Sequence, residues 1–575
     1  MGGAIGDRTP STRIPLGRCQ PRERSRFNAV AAMGWTPPLP GPDFPEARPA
    51  TFTDKHAIEK GVFAMTTLIL AVIIYLACTI AIGLFAASRV QGSKDFMVAG
   101  RSLPLYMNFA CVFATWFGAE TLLSISATFA NGGLKEVSGD PFGAAMCLGL
   151  VAFFFARTFY RMDLLTIGDF YHYRYGKLVE VVTSLAITIS YIGWTSAQMT
   201  ALGIVLWVLG EDYFGPDGLH TAIIVGSVIV FIYTVFGGMW SVALTDVIQT
   251  AVIVVGLLIV AWLLAGQADG VGNVVRHAYA AGKFKFFPVG EGIDVWWSFI
   301  AAFLTFGLGS IPQQDVFQRV TSAKNEATAV RGTLLGGMFY FLFAFIPMFI
   351  AYSALVIDPA VYGPLFAAEG ELRESQRILP DLILNRTPIW TQILFFGALL
   401  SAILSTASGT LLAPSSLFTE NVIRPFTTGM SDLRMLWTLR LVMFFFAVAA
   451  TLFAINTDGT MYQMVQNAYK VTLVMAFVPL AFGVFWKKAS TQAAIFAAAM
   501  GLTGWLLAEY FCSTYAEVDL ATQPWLWNLA VIPPQLYGLG CSILGMLFGG
   551  LAPQWIAQAA VDHGMLKRTS SIVGH

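Results

Sequence analysis

The sequence predicts an all-α polytopic membrane protein of about 13 transmembrane helices, and three observations predict it. Hydrophobic residues make up 56% of the 575 and charged residues only 12%, about half the charged share of a soluble protein. Apolar runs near the roughly 20 residues that a helix needs to cross the hydrocarbon core recur from residue 66 to residue 549. Basic residues gather in alternate connections between those runs, which is the pattern that orients membrane helices.

The spans are predicted at 66–87, 104–130, 142–160, 180–208, 220–237, 241–265, 296–311, 330–356, 388–419, 435–454, 463–486, 490–509 and 526–549. Arg89, Lys94 and Arg101 follow the first span, and Arg157, Arg161, Arg174 and Lys177 follow the third. Arg319, Lys324 and Arg331 follow the seventh, Arg424 and Arg434 the ninth, Lys487 and Lys488 the eleventh, and Lys567 and Arg568 the thirteenth. The connections 211-EDYFGPDG-218 and 456-NTDG-459 carry no Lys or Arg. This bias places the N-terminus outside and the C-terminus in the cytoplasm, with the chain in a plasma membrane (the inner membrane of a bacterium). Residues 1–64 are rich in Pro and Arg and fit this orientation badly. They are expected to be a disordered tail or the product of an early start, with Met65 as the alternative.

Two spans are interrupted. In NFACVFATWFGAETLLSISATFANGG, Gly118 breaks the second span and Glu120 follows at once. A carboxylate at that depth needs a partner or a role. In WWSFIAAFLTFGLGSIPQQDVFQRV, Gly307, Gly309 and Pro312 break the seventh span. Gly allows unusual backbone angles and Pro removes a helix hydrogen bond. With the first span set aside, each broken span leads a set of five. Such placement points to an inverted repeat.

The ninth span holds 401-SAILSTASGTLLAPSS-416. Ala402, Ser405 and Thr406 follow an i, i+3, i+4 spacing and share one helical face. Neutral oxygens there suit a desolvated sodium ion, with carbonyls freed at a nearby helix break completing its shell. Small and hydroxyl residues also line ordinary helix interfaces, so both readings stand on chemistry alone. Ser401, Ser408 and Thr410 are assigned to packing or backbone bonds, and Ser415 and Ser416 to support of the helix beyond Pro414. Asp246, in the first turns of the sixth span, is either a structural carboxylate or a gate beside the ion path. Trp116, Glu120, Trp194, Gln198, Tyr462 and Gln463 are polar or aromatic groups within apolar segments. They are the candidates for binding a solute, or else for bonding one another.

Zero net charge gives no reason to expect nucleic acid. Cys19, Cys78, Cys111, Cys147, Cys512 and Cys541 show no metal-like spacing. No phosphate loop, HExxH, paired CxxC or GxSxG is present, so no catalytic residue is expected.

The motifs 99-AGRSLP-104, 165-LTIGDF-170, 237-GGMWSVALTDVIQ-249, 318-QRV-320 and 401-SAILSTASGTLLAPSS-416 together resemble those of the sodium:solute symporter family. The resemblance covers about residues 66–550. It implies a five-plus-five inverted-repeat core of the APC/LeuT-like kind, working by alternating access. It also implies sodium-coupled symport of a small organic solute. The alternative is a membrane solute sensor or regulatory subunit without net transport. The resemblance places sodium on Ala114, Phe117, Ala402, Ser405 and Thr406, and a gating or supporting role on Asp246. It divides the chain into a first extra helix at 65–100, a core at 101–486, two further helices at 487–560 and a cytoplasmic tail at 561–575. Near the break, TWFGAET departs from the sodium/proline pattern, whereas 307-GLGSIPQQDVFQRV-320 and 154-FFARTFYRMDLLTIGDFY-171 look more like the choline branch. The solutes this leaves are choline-like cations, amino acids such as proline, and short carboxylates. No obligate protein partner is expected.

Overall fold

The computed structural model describes residues 55–87, 92–215, 217–235, 237–367, 374–427, 429–514 and 530–556. Residues 1–54 of the tail predicted at 1–64, and the tail predicted at 561–575, lie outside the described residues. The first helix, α1 (Lys55–Ala87), begins ten residues before Met65.

Among the described residues, nine helices are long and apolar enough to cross a membrane, or up to eleven if each of two bent pairs is one span. The first bent pair joins α2 (Leu105–Trp116) to α3 (Ser126–Gly132) through a wide turn at Glu120–Ile125, with a bend of 55°. The span Leu134–Met162 follows. Next come α4 (Lys177–Leu209), α5 (Leu219–Val235) and α6 (Gly238–Gln267). The second bent pair is α7 (Ile293–Gly309) and α8 (Gln314–Thr321), with a bend of 44°. Then follow α9 (Glu326–Phe343), α10 (Ile389–Phe418), α11 (Asp432–Ile455), α12 (Met461–Thr472), α13 (Thr491–Thr514) and α14 (Pro534–Leu551). Helices α5 and α14 occupy two more predicted span positions, but neither is among the nine or the bent pairs.

Burial separates core from periphery. The most apolar window of α10 is 83% buried within the protein and that of α4 is 78% buried, against 28% for α1 and 22% for α13. A helix enclosed all round tolerates polar groups only where they find partners. That is why Ser and Thr are denser on α10 and α4 than on these outer helices. α10 packs against α6 and α4, α12 packs against α4, and α9 packs against α2.

The two broken helices are tied end to end. Leu103 N–H donates to Ser322 O at 3.0 Å, and Lys324 N–H donates to Leu103 O at 2.9 Å. The residue just ahead of α2 is thereby fixed beside the residues just after α8. α2 leaves this end of the bundle as α8 arrives at it, so the two broken helices run in opposite senses.

Candidate functional site

α2 stops at Trp116 because Phe117 leaves the helical range, with φ −87° and ψ 70°, and Gly118 follows. Gly118 is set by close approach. A Cβ there would lie 2.9 Å from Thr406 Oγ1 and closer still to the Glu120 carboxylate. Gly118 thus stands between the Thr406 hydroxyl and the Glu120 carboxylate. Gly118→Ala should raise the sodium and the solute concentrations for half-maximal transport together, each about tenfold for overpacking of 1–3 kcal/mol. Uptake measured in vesicles against each concentration checks it.

On one side of the break, α10 presents its two adjacent hydroxyls. Ser405 Oγ lies 3.2 Å from Ala114 O, and Thr406 Oγ1 lies 3.2 Å from Ala114 O and 3.4 Å from Thr115 O. Ala402, one turn earlier, is fully buried and has only its backbone oxygen to offer. The Phe117 ring is held against Phe113 and Phe343 at centroid distances of 5.2 and 5.3 Å, so its contribution too is a carbonyl. Ser405 also donates to Asp246 Oδ1 at 2.6 Å, and Asp246 Oδ2 has no hydrogen-bond partner among the described residues. The structure therefore gathers Ala114, Ser405, Thr406 and Asp246 at one place. The neighbouring hydroxyls are spent locally. Ser401 bonds Gly397 O and Tyr75 Oη, Ser408 bonds Ser405 O, Thr410 bonds Ala407 O, and Ser415 bonds Leu411 O.

On the other side lies an aromatic box. Trp116 and Trp194 are 6.2 Å apart, centroid to centroid. Tyr469 lies 5.6 Å from Trp194 and 6.3 Å from Trp116, and Tyr340 lies 6.2 Å from Trp116. Phe306 stacks on Tyr462 at 5.3 Å and meets Tyr469 edge-on at the same distance.

Carboxylates border this box. Glu120, only 2% exposed, accepts from Trp194 Nε1 at 3.0 Å and from Gln198 Nε2 at 2.6 Å. Gln198 also accepts the Ala119 N–H at 3.2 Å and so braces the break. Asp140 accepts from the Tyr340 hydroxyl and from Thr121 Oγ1. Asp315 accepts from the Tyr191 hydroxyl, and its other oxygen has no partner among the described residues. None of the ion pairs found among the described residues includes Glu120, Asp140 or Asp315.

Trp116, Glu120, Trp194, Gln198 and Tyr462 thus belong to one neighbourhood. Gln463 stands apart, because its side chain accepts the Thr460 N–H at 3.1 Å and closes a capping box at the start of α12. Sequence reasoning missed Asp140, Tyr340, Tyr469 and Asp315. Tyr469 was accessible, since it lies two helical turns after Tyr462 on the same face. Arg319 needs a correction. It is not a loop charge of the inner surface but a residue of α8 that is 2% exposed.

The model of the sodium:solute symporter family matches residues 96–501. The human high affinity choline transporter 1 is 27% identical over 456 residues, or 76% of this chain and 75% of that one. The osmoregulated proline transporter OpuE of Bacillus subtilis is 26% identical over 446 residues, or 76% of this chain and 87% of that one. Among solved structures, a Na+-coupled sialic acid symporter in a substrate-bound outward-open state superposes with a TM-score of 0.66 at 19% identity. The match covers 84% of this chain and 98% of that one. Mhp1, a nucleobase-cation-symport-1 family transporter, superposes at 0.52 and 15% identity, over 82% and 98%. These two structures carry the fold: an all-α membrane bundle with broken helices at its centre. Transport, and not solute sensing or catalysis, is what the family match brings to that fold. The chain belongs to the sodium:solute symporter family and is a secondary active transporter of a small organic solute.

Proposed function

We propose that the chain couples sodium entry to uptake of a small organic cation. The observation that carries the ion assignment is the meeting of Ser405 and Thr406 with Ala114 O at the break in α2. Two hydroxyls and a freed carbonyl are the hard, neutral oxygens that a desolvated sodium ion takes. The backbone oxygens of Phe117 and Ala402 complete the proposed set, and Asp246 supports it through Ser405. The solute sits in the aromatic box. Aromatic faces attract cations, and the buried carboxylates of Glu120 and Asp140, which no ion pair among the described residues includes, favour a bound positive charge. Those carboxylates oppose a short carboxylate solute and favour a choline-like or amine-bearing one.

The fold proposal is thirteen spans with an inverted-repeat core at 101–486, preceded by a helix within 65–100 and followed by two helices within 487–560. The opposed senses of the two broken helices and their bends of 55° and 44° support it. The Lys/Arg bias supports an N-terminus outside and a C-terminus in the cytoplasm, in a plasma membrane or a bacterial inner membrane. The test uses purified chain in liposomes with labelled choline and other small cations. Accumulation should require sodium outside and stop when potassium replaces it. Accumulation that ignores sodium for every transported solute overturns the coupling.

A further inference from the structure

Thr115 faces two ways. Its carbonyl lies 3.4 Å from Thr406 Oγ1, and its own hydroxyl accepts Arg319 Nε–H at 2.8 Å. The Arg319 side chain therefore reaches from α8 to the residue that backs the proposed sodium ligands. It also reaches α10. The Arg319 Nη2 atom lies 2.6 Å from where a Cβ on Gly409 would stand. Gly409 is one helical turn beyond Ser405 and Thr406. The guanidinium thus fills a notch that only a glycine leaves open, wedged between the two helices that build the ion site. Asn108 Nδ2 holds the Arg319 carbonyl at 2.6 Å and fixes the root of the side chain.

Asp246 and Asp315 are buried carboxylates within electrostatic reach of this charge, but neither closes on it as an ion pair. Both Arg319 Nη1 and Nη2 are buried without a hydrogen-bond partner among the described residues, and no ion pair found among those residues includes Arg319. A buried guanidinium that no carboxylate contacts directly is costly, and Asp246 and Asp315 offset it only across a gap. Beside it is a cavity of about 10 Å³ lined by Thr115, Trp116, Asp315 and Arg319 among others, the room of about one water molecule.

We infer that Arg319 is a tethered positive charge that sets the sodium affinity of the site formed by Ala114, Ser405 and Thr406. The inference rests on the sodium site proposed above. A fixed cation within about one helical turn of a bound cation repels it through the low-dielectric interior. Sodium is then held weakly enough to leave once the site opens to the inside, where sodium is scarce. Arg319 is a positioning charge in this role and not a sodium ligand.

The test measures sodium binding to the purified full chain by the change in its tryptophan fluorescence. Arg319→Gln and Arg319→Met should lower the sodium concentration for half-maximal change about tenfold. Turnover in liposomes should fall, because release slows. Arg319→Lys keeps the charge and should stay near the wild-type value. A second route avoids removing the arginine. Gly409→Ala pushes the guanidinium away and should also tighten sodium binding. Loss of a merely structural arginine weakens binding, so tighter binding separates the two roles. Sodium binding that is unchanged or weaker in folded Arg319→Gln and Gly409→Ala overturns the inference. If those variants behave so while Ser405→Ala/Thr406→Ala loses sodium affinity, only the role of Arg319 fails. If Ser405→Ala/Thr406→Ala also binds sodium normally, the site itself is misplaced.

Discussion

Replacing Ser405 and Thr406 together by alanine should raise the sodium concentration for half-maximal uptake about 100-fold, with a smaller change in the maximal rate at saturating sodium. The size follows from the bonds that disappear. Hydrogen bonds and ligand contacts to a charged group are worth about 1.5–3 kcal/mol each, and two oxygens leave at once. They leave from a helix that is almost wholly enclosed, so no bulk water stands by to replace them. The double variant also strips the donor from Asp246 Oδ1 and both hydroxyl contacts from Ala114 O. A modest loss of stability should accompany the change, about 0.5–1.5 kcal/mol per lost bond. Two controls keep the reading clean. Thr406→Ser retains the oxygen and should stay close to wild type. Solute binding at saturating sodium should survive in the double variant, which shows that the fold is intact. A folded double variant with unchanged sodium dependence removes both residues from the site.

The meeting of α10 with the break in α2, which carries the proposed ion site, was legible because its signal is local. Ala402, Ser405 and Thr406 lie on one helix at a spacing that period alone puts on one face, and Gly118 announces the break opposite. Glu120 was legible for a similar reason: a charge inside an apolar run has few explanations. The aromatic cluster, which carries the proposed solute site, was only half legible. Trp116, Trp194 and Tyr462 come from three separate helices, and no local pattern says that Tyr469 and Tyr340 join them. Asp140 was hidden by its place. It lies in 138-SGDPFG-143, a stretch that reads as a connection, and only the fold turns it inward to Tyr340. Gln463 shows the opposite error. Thr460 to Gln463 has the T-x-x-Q spacing of a capping box, and the local bond to Thr460 claims the side chain. Arg319 was misread by a sound rule applied past its range. Basic residues after a span mark the inner surface, but here the span is broken and its second half, α8, is itself buried.

Glu120→Gln should separate a cationic solute from its neutral isostere. The substitution keeps the size of the side chain and removes its charge. Choline and 3,3-dimethyl-1-butanol have nearly the same shape and differ by the quaternary nitrogen. If the solute's charge sits about 5 Å from Glu120 in surroundings with an effective dielectric near 20, the lost attraction is about 3 kcal/mol, or about 100-fold. In the wild-type chain choline should displace a bound labelled cation far better than the butanol does. In Glu120→Gln that advantage should shrink about 100-fold, while the affinity for the butanol changes little. The local bonding argues that the variant folds. Trp194 Nε1 and Gln198 Nε2 both donate to Glu120, and the glutamine oxygen still accepts from one of them. Its amide group faces the other donor, which costs about 1–3 kcal/mol of stability, so a lowered melting temperature should come with the altered selectivity. The residue beside it supplies a contrast. Thr121→Val removes a hydroxyl contact to Asp140 without removing a charge, and should leave the ratio of choline to butanol affinity near its wild-type value. A ratio unchanged in Glu120→Gln would mean that the carboxylate serves only to hold Trp194 and Gln198 in place. The aromatic faces alone would then have to account for any preference for positive charge.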